Sequence, residues 1–480
     1  MQEAQALYEQ VEPKSKKQNQ TLNQGVVSSS SRDYFREVPI VACATAMGGP
    51  IAVIRLSGHE IKKVATSLNS KIVNLKSRQA SVLRLSSNEG HFLDEALVLF
   101  FQGPRSFTGE DVLEFHVHGS RVIVDSVIEV LMQSGASPAL PGEFSFRAVR
   151  NQKLDPSQAQ AVSDLVTAQS KSAVDLALEK LSGSQSKLFL DLVEEMKMIA
   201  SMAELGIDFS DQDVESLSME NLKKRVARLV SRLDDLKKTF QRGQKIQQGF
   251  NVALLGLPNA GKSSFFNSLL KEERSIVTAT AGTTRDVVKE SLVLKSENGE
   301  FLFNFLDTAG VRKSKDEIEA LGIEKSVQVA HQSDLVVWIV DPTDSLDQSL
   351  EALQSLDLPE QKIIVMHSKA DLIQESQKDP RKIYFSSFTQ KGIDQVIAQM
   401  VAWAKKMTHR APKEVLLTQE EQQNAIQNAL TTLKRSLQAE EMDLFASDLR
   451  QSLYDLSALM GQTTADDLLA RIFSKFCIGK

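Results

Sequence analysis

Apolar and polar residues alternate with a period of two in several short runs between residues 37 and 153. "PIVACATA", "IAVIRLSG", "ASVLRLSS", "EALVLFFQ" and "VLEFHVHG" each read as a strand with one face on a core. Two runs in the same region change period. "HEIKKVATSL" and "SRVIVDSVIEVLMQSG" carry apolar residues three and four apart and predict helices, the second stopped by Gly135. Strands and helices mixed in this way predict a small α/β domain.

From Asp155 the texture changes. "PSQAQAVSDLVTAQSKSAVDLALEKLSGSQSKLFLDLVEEMKMIASMAELGI" keeps helical spacing with few Gly or Pro to interrupt it, and Asn221 to Gln244 continues it. The same texture returns after Pro412. Between the two helical blocks, about Phe250 to Met407, strand and helix patterns alternate again. The economical reading is a helical domain interrupted by an inserted α/β domain, which is tolerated where the guest's ends lie close together. The expected boundaries are an extension over 1–36, an α/β domain over 37–153, a helical domain over 154–248 and 409–480, and the insertion over 249–408. The fold class is therefore multidomain, α/β and α. The final helix would be anchored to the earlier helical block, so the C-terminus need not fray.

The extension is polar and rich in Gln and Ser, and it has no apolar segment to act as a secretory signal. Glu3, Glu9 and Glu12 argue against an organellar transit peptide, and the composition predicts disorder. Over the chain, 56 Lys and Arg oppose 62 Asp and Glu, a net charge of −6. RNA contact would therefore need a local basic patch. Two cysteines in 480 residues, Cys43 and Cys477, exclude a disulfide scaffold and a Cys-rich zinc site and suit a reducing compartment. No apolar run reaches membrane-spanning length, and the expected location is the cytoplasm. Cys477 stands fourth from the end, but Gly479 and Lys480 do not make a prenylation box.

The insertion carries the chemistry. "FNVALLGLPNAGKSSFFNSLL" is an apolar strand, then Gly256-x4-Gly261-Lys262-Ser263, then a helix start. That is a phosphate-binding loop in its strand–loop–helix setting. Backbone N–H groups and the helix N-terminus favour the β-phosphate, Lys262 bridges β and γ, and the Ser263 hydroxyl ligates Mg²⁺. In "AGTTRD", Thr284 completes the Mg²⁺ shell. "EFLFNFLDTAG" ends a strand in Asp307, placed to hold Mg²⁺ through water, and Gly310, whose N–H meets the γ-phosphate. Asn298-Gly299 before it marks a hairpin turn. "KIIVMHSKAD" supplies Lys369 and Asp371. A carboxylate there accepts from guanine N1–H and the exocyclic amine, which adenine cannot offer together. Four motifs in order, each at a strand end, specify a GTPase. After "DTAG" stands Val311, which cannot orient water. The acidic run with Asp316, Glu317 and Glu319 is the alternative source.

"GLPNAGKSS", "IVTATAGTTRD", "DTAGVRKSKDEIEALGIEKS" and the terminal "FCIGK" together resemble the MnmE (TrmE) tRNA-modification GTPases. "SFTGEDVLEFHVHG", "PGEFSFRAVRNQKLD" and "TTADDLLARIFSKFCIGK" extend the likeness over about residues 38–480. The resemblance implies an N-terminal folate-binding domain that forms a homodimer, a discontinuous helical domain and an inserted Ras-like G domain. It implies an FAD-containing MnmG-type partner in a heterotetramer or larger complex. The expected product is an aminomethyl or carboxymethylaminomethyl group at C5 of the wobble uridine of certain tRNAs. The one-carbon unit would come from 5-formyl- or methylene-tetrahydrofolate, and potassium would support GTP hydrolysis.

Carried over by residue, the resemblance assigns nucleotide contacts to Asn259, Ala260, Gly261, Lys262, Ser263 and Ser264. It adds Thr278, Ala279, Thr280, Ala281, Gly282, Thr283 and Thr284, then Asp307, Thr308, Ala309 and Gly310. Ser368, Lys369, Asp371 and Ser386 would hold the base. Ser263 and Thr284 would ligate magnesium, and Asn259 with Thr278, Thr280 and Thr283 potassium. A cation beside the phosphates does the electrostatic work of an arginine finger. Glu319 matches the glutamate that orients water, with Lys262 and Thr284 the other catalytic groups. Arg55, Glu114, Lys153 and Lys480 match folate contacts. A carboxylate suits the aminopyrimidine edge and cations suit the glutamyl tail.

The chain departs from the family in the short glycine turn of "ATAMGGPIAV", in Phe146 where Glu is usual, and in Ser368 where Asn is usual. Two other readings compete: a GTPase switch in RNA or ribosome assembly with no chemistry of its own, and a helical scaffold with a degenerate G domain. The folate-matching residues argue against the first, and intact Lys262, Ser263, Thr284 and Asp307 against the second.

Overall fold

The computed structural model describes residues 34–208, 218–271, 276–277, 290–306, 327–343, 345–411, 414–460, 473, 476, 478 and 479. These divide into two compact units, residues 1–153 with 464–480, and residues 154–463.

The first unit is built on a six-stranded sheet. Its strands are β1 (Ile40–Cys43), β2 (Ile51–Gly58), β3 (Ser81–Ser86), β4 (Phe92–Phe101), β5 (Asp111–His118) and β6 (Ser137–Pro138), in the order β3-β4-β5-β2-β1-β6. All neighbours are antiparallel except β1 and β6. The alternation has its expected result. Leu113, Phe115 and Val117 of β5 are buried, while Glu114, His116 and His118 share the other face. The helix Arg121–Gln133 packs Val124, Val127 and Leu131 into the same core, and Gly135 follows it at φ +108°.

A further helix, Glu143–Arg150, has no clear apolar stripe in the sequence. It is nevertheless buried along most of its length, Glu143 and Arg147 included. Arg147 bonds Glu143 at 3.0 Å and Glu110 at 3.1 Å, so the two buried charges are paired.

The C-terminal tail joins this unit. Phe473 stacks edge-on against Phe146 at 5.6 Å and against Phe476 at 5.0 Å. Tyr34 and Phe35 meet Phe146 at 5.3 and 5.1 Å. The Phe146 side chain thus fills the centre of an aromatic cluster from three parts of the chain, a role a glutamate could not take without burying a charge. Gly479 has φ +93°, and a Cβ there would lie 2.3 Å from the Cys43 carbonyl oxygen, so only glycine fits.

The second unit opens with helices Pro156–Thr167, Lys171–Leu181, Ser184–Asp208, Met219–Lys238 and Phe240–Gln248. Asp155 and Gln158 form a capping box on the first, with Pro156 in its first turn. The helices Glu420–Ser436 and Met442–Ser457 return to the same bundle, whose core includes Phe189, Met196, Leu229, Leu433 and Phe445.

Between these helices the chain builds a seven-stranded sheet. Its strands are β7 (Phe250–Leu255), β8 (Ile276–Val277), β9 (Glu290–Ser296), β10 (Gly299–Phe305), β11 (Leu335–Val340), β12 (Ile363–His367) and β13 (Ile383–Tyr384), in the order β13-β12-β11-β7-β10-β9-β8. The run from β13 to β10 is parallel and the β9 edge antiparallel. The β9–β10 turn centres on Glu297 and Asn298. Gly299 already pairs with Ser296, so the turn sits one position earlier than the Asn-Gly signal suggests.

The crossings into and out of the sheet are tied together. Buried Lys180 donates to Asp164 and, at 2.8 Å, to Thr418 Oγ1 after the return crossing. Gln247, before β7, donates to the same Asp164. Burial draws the Lys180 pKa down against the pull of Asp164.

Candidate functional site

β7 is buried on both faces, as central parallel strands are. It ends at Leu255, and the loop from Gly256 to Gly261 turns the chain into the helix Lys262–Lys271. Three left-handed or near-extended positions shape that loop: Gly256 at φ +153°, Asn259 at +60° and Gly261 at +97°. A Cβ on Gly256 would stand 2.3 Å from the Ile339 carbonyl oxygen, so the loop lies hard against the end of β11. Asn259 is exposed and Ala260 buried. Lys262 arches back over the loop and donates to the Gly256 and Leu257 carbonyls at 2.9 and 2.8 Å. Burial pulls its pKa below the usual lysine value. Phosphate oxygens would act in the opposite direction, by favouring the ammonium. Ser263 and Ser264 lie in the first turn of the helix Lys262–Lys271.

The residues expected to hold the base gather at the ends of β12 and β13. Ser368 is 3% exposed; its N–H and hydroxyl both donate to the Val340 carbonyl, at 2.8 and 3.2 Å. Its Oγ lies 3.6 Å from where a Gly261 Cβ would be, so the phosphate loop and the base motif touch. Lys369 sits at φ +49° and pairs with Asp341, which follows β11. Burial raises the Asp341 pKa, but Lys369 and two donors from Thr343 outweigh it and hold the carboxyl below the usual aspartate value. Ser386 donates its hydroxyl to Asp371, which orients that carboxylate. Asn259 and Lys369 are two of the few non-glycine residues with positive φ, and such strain concentrates at functional sites.

Of the other nucleotide-site expectations, Thr278, Ala279, Thr280, Ala281, Gly282, Thr283, Thr284, Asp307, Thr308, Ala309, Gly310 and Glu319 lie outside the described residues. The sequence reading missed Asp341. Its signal was a fully apolar strand, "LVVWIV", ending in an acid. A cavity of about 530 Å³ lined by Trp403, Phe250, Asp334 and Lys362 sits at the N-terminal ends of β7, β11 and β12, so it is not the phosphate site.

In the first unit the register of β2 and β5 sets Arg55 opposite Glu114. Arg55 donates to Glu114 Oε1 from Nε at 3.0 Å and Nη2 at 2.9 Å, and its guanidinium lies over the Phe107 and Phe144 rings. His116 Nε2, 3.7 Å from Glu114 Oε2, is buried without a hydrogen-bond partner. Lys153 is exposed, its stem against Gly109. Lys480 lies outside the described residues, but Gly479 before it meets Cys43, next to Ala42, which is registered with Arg55.

The family model for the MnmE helical domain matches residues 157–477, and that for the N-terminus of the GTP-binding protein TrmE matches residues 39–153. A "tRNA modification GTPase MnmE" of Aliarcobacter butzleri is 33% identical over 93% of this chain and 100% of its own length. The proteins of that name from Neisseria meningitidis serogroup B and Legionella pneumophila (strain Paris) are 35% and 36% identical over 92% of this chain, and over 98% and 99% of their own. The chain belongs to the MnmE family. A solved structure, the G domain of the T. maritima FeoB iron transporter, is 25% identical over 32% of this chain and 98% of its own, with a TM-score of 0.23 that carries no weight.

Against its MnmE background, two sequence departures have local explanations. Phe146 serves the aromatic cluster that receives the tail. Ser368 spends its hydroxyl on the Val340 backbone.

Proposed function

We propose that this MnmE-family chain is a potassium-dependent GTPase that, with an FAD-containing MnmG-type partner, modifies C5 of the wobble uridine of certain tRNAs in the cytoplasm. The observation that carries the reading is the full-length relationship to tRNA modification GTPases, 33–36% identical over 92–93% of this chain. The proposed domain limits are 37–153, 154–248 with 409–480, and 249–408.

Asp371, oriented by Ser386, reads the guanine edge, and Lys369 and Ser368 complete the base site. Lys262 and the loop N–H groups hold the β- and γ-phosphates, with Ser263 and Thr284 on Mg²⁺. The exposed Asn259, with residues 278–280, offers oxygen ligands to a monovalent cation, which neutralises charge as the γ-phosphate leaves. Glu319 orients the attacking water.

Arg55 and Glu114 fit a reduced folate. The carboxylate matches the aminopyrimidine edge, the half-buried Phe107 ring supplies an apolar surface, and the unpartnered His116 Nε2 leaves a polar atom to satisfy. Lys153 and Lys480 would meet its carboxylates. When bound, the folate supplies a one-carbon unit. The N-terminal unit would form the homodimer.

The cation test is steady-state GTP hydrolysis in matched KCl and NaCl. Faster turnover in potassium is expected; equal rates would remove the potassium assignment.

A further inference from the structure

At 88% exposure, Phe388 is the most exposed large apolar side chain among the described residues. Exposure alone says little; its position says more. The chain turns back between Ser386 and Lys391, closed by the Ser386 N–H on the Lys391 carbonyl at 3.1 Å. The Thr389 N–H donates to Ser386 Oγ at 3.3 Å, and Gln390 takes φ +58°. Phe388 is carried on the tip of this turn. The same Ser386 Oγ donates to Asp371. The carboxylate assigned to guanine and the turn carrying Phe388 are therefore one hydrogen-bonded unit. Phe388 is two residues from Ser386, so their Cα atoms are within about 7 Å, and the ring extends the reach.

A second observation concerns what the base site lacks. Ser368 is buried and its hydroxyl is given to the Val340 backbone, so it offers a base little. A purine still presents a π-face, which an aromatic ring can meet whatever the polar edge is doing.

We propose that Phe388 stacks on the purine ring of the nucleotide held by Asp371 and supplies affinity that Ser368 does not. The proposal rests on the guanine reading of that site. Stacking does not discriminate between base edges, so Asp371 sets the choice of guanine and Phe388 the strength of binding.

Fluorescent GDP titration and GTP hydrolysis by the full-length chain test this, comparing wild type, Phe388→Ala, Phe388→Leu and Phe388→Trp. Phe388→Ala should weaken GDP and GTP alike by about 5-fold or more, the lower end for loss of a base–aromatic stack. KM for GTP should rise by the same factor with kcat little moved, and Phe388→Leu should fall between. Phe388→Trp should restore affinity, and its indole emission should change on adding GDP. Unchanged affinity in Phe388→Ala, or indole emission indifferent to GDP, would overturn the stack. A wild-type chain that binds ATP as well as GTP would instead remove the guanine reading, and the proposal with it.

Discussion

Single residues at the proposed base site divide into those assigned to guanine and those that hold them in place. Asp371 is oriented by Ser386, and Lys369 is held by Asp341. Ser368 belongs to neither group: its polar atoms are spent on the Val340 carbonyl. Ser368→Asn would restore an amide beside Gly261, where the phosphate loop passes. It should tighten GTP and GDP alike by several-fold, about one net hydrogen bond of 0.5–1.5 kcal/mol, as read by fluorescent-nucleotide titration. Weaker or unchanged binding would mean that the serine is already compensated. The identity of these residues was legible in the sequence because each sits at a fixed offset from a strand end. Their supports were not, since Asp341 lies 28 residues from Lys369 and nothing local announces the pair.

Among the elements, β1 to β5, β7, β10 and β12 follow the two-residue alternation or the continuous apolar runs from which they were expected, whereas β6, β8, β11 and β13 were not anticipated. Nor was helix Glu143–Arg150. It is short, and its burial depends on Tyr34, Phe35 and Phe473 gathering around Phe146, contacts that periodicity within the helix cannot encode. Helix Met442–Ser457 packs on the earlier helical block, and the described tail residues beyond it lie beside β1 and on helix Glu143–Arg150. Gly142 explains the fit: a Cβ there would stand 2.7 Å from the Phe473 carbonyl oxygen. Phe146→Ala should cost the N-terminal unit about 3–5 kcal/mol, the usual loss for a buried phenylalanine, and should make the C-terminal tail accessible to proteolysis. Denaturant unfolding and limited proteolysis measure the two effects. A stable variant with a protected tail would show that the cluster is not what holds it.

For the whole molecule, local pattern separated the sheet-bearing regions from the helical blocks, but did not give strand order. The order in each sheet is a long-range property, set by pairings such as β7 between β10 and β11. No helix among the described residues is long and apolar enough to cross a membrane. One unit carries the phosphate loop and the proposed base motif, and the other carries the Arg55–Glu114 pair and Gly479 of the tail. A GTPase switch would use the first and have no need of the second. The direct measurement is nucleoside analysis of tRNA from cells with and without the gene. The C5-aminomethyl-type wobble uridines should disappear in the deletion and return with the wild-type chain. Unchanged wobble nucleosides in the deletion would contradict the proposed function.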